Sequence, residues 1–280
     1  MSCPLCHDTG WRAHLVEGVE RFSRCDCWRQ ELVQDLLGEA RIPARYRKCD
    51  FTTLVTYPNE PMARAVRKAR ALSDAFPVVD KGILLIGPPG IGKTHLAVSV
   101  LREVVRKGMR GLYYDTRTLL SELRSSYDPV TRSSGAEILQ AVMEAELLVL
   151  DDLGAERLTD WVEETMHLIV NTRYNEKRPT VFTSNYNDGP DDDLDSLKAR
   201  VGFRMHSRLR EMCEFLEYDG PDCREFGPPP DAEILRQAWK ERRRKRLPRR
   251  TSTRAAVRAT EGQLELGWTG GKAVGGRGGR

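Results

Sequence analysis

The sequence predicts an α/β fold with a parallel sheet and crossover helices. Three observations point to it: short apolar runs at regular intervals, amphipathic stretches between them, and a glycine-rich loop that joins one of each. The runs are Ile83–Ile86, Leu112–Tyr114, Leu147–Leu150 and Val181–Thr183. Runs this short and this apolar fit strands buried on both faces. The stretch from Thr94 to Lys107 carries Leu96, Val100 and Val104 on one helical face and stops at Gly108, a usual C-terminal residue. Trp161–Tyr174 reads as a second amphipathic helix.

The chain has 280 residues, 40% hydrophobic and 31% charged, as expected of a globular protein. It contains no run of about 18 apolar residues, so no membrane span is expected. With no basic-then-apolar leader, a cytoplasmic location is the default expectation. Four segments are expected: a module over 1–30, a helical linker over 31–80, a core over 81–227, and a basic tail over 228–280. From residue 240 to 280 there are 13 Lys or Arg against 3 Asp or Glu, a net +10. The preceding 239 residues therefore carry −6 of the chain's +4. The tail ends GGKAVGGRGGR, too poor in apolar residues to pack, and is expected to be disordered.

Residues 87–94 read GPPGIGKT, the G-x-x-x-x-G-K-[ST] pattern: Gly87, Pro88, Pro89, Gly90, Ile91, Gly92, Lys93 and Thr94. Glycines let backbone N–H groups approach phosphate oxygens, the lysine supplies charge to the β- and γ-phosphates, and the threonine hydroxyl ligates Mg²⁺. The apolar strand before the loop and the helix after it are the context this chemistry needs. In LLVLDD at 147–152, Asp151 emerges at a strand end, where a carboxylate can hold the magnesium. Asp152 beside it can orient or deprotonate a water. Asn185, after the next strand, can position that water near the γ-phosphate.

Cys3, Cys6, Cys25 and Cys27 form C-x-x-C and C-x-C pairs, enough thiolates for a tetrahedral zinc site. About 30 residues hold too little core to fold alone, so bound metal would supply the missing stability. Trp11 and Phe22 could pack around it, and His7 and His14 are alternative ligands. Seven cysteines, an odd number, argue against a disulfide framework.

In this order the motifs resemble the AAA+ ATPases, and more narrowly the bacterial helicase loaders of the DnaC and DnaI type with their IstB-like relatives. IPARYRKCDF at 42–51 is similar to the segment that covers the adenine, and RMHSRLREMC at 204–213 to the arginine-bearing helix. The resemblance, which runs from about Ile42 to Phe226, implies ATP as ligand with Asp151 and Asp152 as the acidic pair and Asn185 as polar sensor. It implies that Arg208, assisted by Arg204, reaches the nucleotide of a neighbouring subunit, so that hydrolysis needs a ring or spiral. It further implies loading or remodelling of the replicative DNA helicase on single-stranded DNA, with the zinc module touching the helicase. A transposase-assisting ATPase and a nucleotide-switched adaptor with little turnover are the alternatives. Arg117, Arg124, Tyr127 and Arg132 are candidates for DNA-facing loops, and the basic run at 241–250 for phosphate attraction.

Overall fold

The computed structural model describes residues 3–16, 18–126, 135–189, 193, 196–227 and 229–245. The first part is a small hairpin. Strands β1 (Trp11–Val16) and β2 (Val19–Arg24) pair antiparallel, with Trp11 opposite Arg24 and Val16 opposite Val19. Both strands are exposed along their whole length. Helix α1 (Asp26–Glu39) follows at once and packs on the core helix α3.

The 31–80 segment is only partly α-helical. After α1 the chain makes a 3-10 turn at Ala44–Tyr46 and runs irregularly to α2 (Glu60–Ala75). Asn59 caps α2 by accepting a hydrogen bond from the Met62 N–H, with Pro61 in the first turn. The irregular part is nonetheless packed: Ile42, Cys49, Phe51 and Tyr57 are buried in the main core.

The core is a five-stranded sheet in the order β4-β5-β6-β3-β7, with every neighbouring pair parallel. Its elements are β3 (Gly82–Ile86), α3 (Lys93–Arg106), β4 (Gly111–Asp115), α4 (Thr116–Ser125), α5 (Gly135–Glu144) and β5 (Leu147–Asp151). Then come α6 (Asp160–Asn175), β6 (Thr180–Ser184), α7 (Leu197–Val201), α8 (Phe203–Met212) and β7 (Cys213–Glu217). Alternation along β3 builds two cores. Ile83 and Leu85 face α2 and α3, while Leu84 and Ile86 face the layer containing α6 and α8. Strands β3, β5 and β6 are buried throughout, as central strands of a doubly covered sheet must be.

Two further differences from the sequence reading lie toward the C-terminal end. The arginine-bearing helix stops at Met212, and Cys213 opens β7, which was not foreseen. An edge strand is half exposed, so CEFLE keeps its charges and loses the apolar-run signature. Part of the segment taken as tail is ordered: α9 spans Ala232–Lys245, with Leu235 fully buried and Arg242 bonded to Asp219. Residues 246–280, the rest of the 228–280 segment expected to be disordered, lie outside the described residues, as do Tyr127 and Arg132. Among the described residues no helix is long and apolar enough to cross a membrane.

Candidate nucleotide site and metal centre

The glycine-rich loop leaves the C-terminal end of β3 and feeds directly into α3, whose first residue is Lys93. Gly90 has φ +79°, and a Cβ there would stand 1.8 Å from the Asp222 carboxylate, so only glycine fits. Gly92 caps α3 in the left-handed region at φ +92°, leaving the helix N-terminus open toward the cleft. Ile91 is buried in the core and anchors the loop from beneath.

Lys93 is 6% exposed. Its Nζ donates to Gly87 O at 2.7 Å, Pro88 O at 2.8 Å and Asn185 Oδ1 at 2.7 Å. Burial pushes its pKa down to about 8, against an opposing pull from Asp151 and Asp152. Asp151, at the end of β5, accepts from three hydroxyls: Thr94 at 2.9 and 3.1 Å, Tyr113 at 2.7 Å and Thr183 at 2.6 Å. A buried carboxylate with one neighbouring hydroxyl is a hard-oxygen pair, which fits magnesium. Thr94 and Asp151 are the residues that would hold it.

Asp152 adopts φ +59° and turns away from the strand. The Asn185 Nδ2 donates to its Oδ1 at 2.5 Å. Burial, then the negative charge of Asp151, raises its pKa, the direction that suits a proton acceptor. Asn185 thus joins Lys93 to Asp152 with its two amide atoms.

These groups line a cleft of about 700 Å³, within the usual size range for small-molecule sites. It is also lined by Arg45, Tyr46 and Thr53, from the segment likened to an adenine cover, and by His95. Arg224, in a 3-10 turn after β7, also lines it. The sequence reading missed Arg224, His95 and Tyr113. Arg224 and Tyr113 reach the site only through the folding of β4 and the β7–α9 connection, whereas His95 directly follows Thr94 of the phosphate loop and was given no role. Arg204 and Arg208 do not line this cleft. They lie on α8, where the Arg208 guanidinium donates to Arg204 O at 3.3 Å. Of the loop basic residues, Arg117 bonds Ala155 O and Arg124 lies over the Trp161 ring.

At the N-terminus, Cys3, Cys6, Cys25 and Cys27 place their sulfurs within 4.8 Å of one another. Cys3 and Cys25 are 3.8 Å apart, and Cys6 and Cys27 3.3 Å. A tetrahedral centre with Zn–S bonds of about 2.3 Å needs sulfurs about 3.8 Å apart, so the donor set and its spacing fit zinc. Backbone N–H groups of Leu5 and Cys6 pull the Cys3 pKa down to about 7, toward the thiolate that binds metal. His7 and His14 are not in the group. Among the described residues before Gln30, Cys6 and Cys25 are the buried ones, so the module's interior is its thiols. Phe22 is 64% exposed, and Trp11 and Trp28 instead flank the Arg24 guanidinium at 4.9 and 4.4 Å.

A parallel sheet with a phosphate loop after β3, a polar residue after the neighbouring β6 and an acidic pair at the end of β5 beyond it defines a P-loop protein of the AAA+ class. The chain belongs to the IstB-like ATP binding proteins, whose family pattern matches residues 34–218. It is 28% identical over 201 residues to YdaV of Escherichia coli K12, an uncharacterised protein, covering 71% of this chain and 77% of YdaV. To the replicative helicase loader DnaC of the same organism it is 26% identical over 181 residues, 64% of this chain and 69% of DnaC. A crystal structure of the DnaC helicase loader superposes with a TM-score of 0.55 and 34% identity, over 62% of this chain and 99% of that one.

Proposed function

We propose that the protein is a cytoplasmic ATPase that loads or remodels a replicative DNA helicase on single-stranded DNA. The carrying observation is the joined set of Lys93, Thr94, Asp151, Asp152 and Asn185 around one cleft, in a chain related to a replicative helicase loader. Lys93 and the N–H groups from Gly90 to Thr94 neutralise the triphosphate, and Thr94 and Asp151 hold magnesium. Magnesium supplies charge to offset the phosphates. Asp152, held by Asn185, orients the attacking water and takes its proton. Arg45 and Tyr46 flank the base, and Arg224 adds positive charge to the cleft.

Arg208 does not line its own subunit's cleft and completes the site of a neighbour, so turnover requires a head-to-tail assembly. The zinc-bound hairpin captures the helicase. Its exposed Leu15 and Phe22, which the pairing register puts on one face of the hairpin, give that contact apolar side chains.

The decisive experiment measures ATP turnover by the purified protein with single-stranded DNA and the host's replicative helicase. Turnover is expected to rise when all three are present. Turnover no higher than that of Lys93→Ala leaves an adaptor without hydrolysis. Recovery of a transposase in place of a helicase from the native host assigns the ATPase to transposition.

A further inference from the structure

The loop after β6 makes two sets of contacts only three residues apart. Asn185 touches Lys93 and Asp152 in the nucleotide site. Asp188 reaches in the other direction, to helix α8. His206 Nε2 donates to Asp188 Oδ1 at 2.7 Å, and the Arg210 guanidinium donates to Oδ2. The Asp188 carboxylate is 13% exposed and the His206 ring 12%, so this knot is largely shielded from solvent. Phe215 of β7 closes it from behind. The His206 ring meets Phe215 edge-on at 5.9 Å and Arg210 lies over the same ring at 4.4 Å. The loop is tied further to α7 by Leu197 N–H to Asn187 O at 2.8 Å.

Helical spacing divides α8 between two duties. His206 and Arg210 are four apart and share the face toward Asp188. Arg204 and Arg208, also four apart, are offset from them by two residues, about 200°, and share another face. Met205 and Leu209 are buried beneath. Whatever moves Asp188 therefore moves α8 as a body, and with it Arg208.

We propose that Asp188 is a positioning residue that couples the nucleotide site of one subunit to the arginine that the same subunit offers to its neighbour. The inference rests on the reading of Arg208 given above. Asp188 does not line the nucleotide cleft. It transmits the position of Asn185 to α8, so a subunit whose phosphates are engaged presents Arg208 in a different pose from one whose phosphates are not.

The test separates the two ends of that link by mixing variants. An Asp152→Asn chain binds ATP but cannot turn it over, and can donate Arg208. An Arg208→Ala chain has a working site but donates nothing. Their mixture is expected to hydrolyse ATP when each alone does not. Asp188→Asn is then added to the Asp152→Asn donor, whose phosphates are engaged but whose turnover is already silent. Turnover by the mixture is expected to fall at least about tenfold in kcat, the scale of a misplaced charge, with KM for ATP unchanged. Sedimentation is expected to show the donor still entering the assembly. His206→Ala in the donor, which keeps the Arg210 bond, gives a smaller fall. An unchanged kcat overturns the proposal and leaves the trans reading intact. A donor that no longer enters the assembly also overturns it, since Asp188 would then hold the interface. A parent mixture without rescue sinks the trans reading and the proposal together.

Discussion

At the residue scale, the site is governed by what burial does to charge. Lys93 has three acceptors and almost no water, and burial outweighs the pull of two aspartates on its pKa. A folded pKa of about 8 means the ammonium is fully charged below that pH and lost as pH rises through it. ATP binding selects the charged form. Affinity is therefore expected to be flat to about pH 7 and to weaken by roughly tenfold from pH 7 to 9. Calorimetric titration at those values checks this, and a constant affinity contradicts the assignment of Lys93 to the phosphates. Asn185 makes a complementary case. Its amide holds both Lys93 and Asp152, so Asn185→Ala is expected to leave ATP bound while lowering kcat by about 10²-fold, as loss of a water-orienting group does. Equal losses in binding and turnover would instead make Asn185 a brace for Lys93.

At the element scale, stability depends on a few polar ties that periodicity does not announce. Arg173 of α6 is 1% exposed and donates to Thr180 Oγ1 at the start of β6 and to the carbonyls of Val142, Met143, Ala145 and Pro179. It closes the end of α5 and both sheet entries with one side chain. Arg173→Ala strands those carbonyls and is expected to cost about 3–5 kcal/mol, read as a lower midpoint in denaturant unfolding. A shift under about 1 kcal/mol would show that water replaces the guanidinium. The hairpin is the opposite case, an element with no apolar interior, so replacing Cys3 and Cys6 with Ser is expected to release zinc and unfold residues 3–24. Metal analysis and circular dichroism read both effects, and native protein free of zinc ends the idea. The same contrast explains what the sequence made legible. Strands β3, β5 and β6 announce themselves because both faces are covered. The phosphate loop does so because its glycines and lysine have fixed spacing. Strand β7 hides because an edge keeps Glu214 and Glu217. Helix α9 hides because a largely basic, exposed helix has the composition of a tail. Arg224 and Tyr113 enter the site by topology, over distances along the chain that no motif spans.

At the scale of the whole molecule, charge is segregated by sequence. Residues 1–239 carry −6 and residues 240–280 carry +10. A nucleic acid attracted to this chain is therefore drawn to its end, while the acidic remainder discourages nonspecific wrapping. Residues 246–280 alone contain eight Lys or Arg and two Asp or Glu. If several of these groups pair with phosphates, each releases counterions, and affinity for a single strand falls with salt at a slope of about −0.7 per contact. Truncation after Lys245 keeps α9 and removes those groups. It is expected to weaken binding to a fluorescent oligonucleotide and to flatten the plot of log affinity against log salt by several contacts' worth. Basal ATP affinity should stay the same, because the cleft is lined by residues before 231. An unchanged slope after truncation would move the DNA contacts to the folded part and leave Arg117 and Arg124 as the groups to replace next.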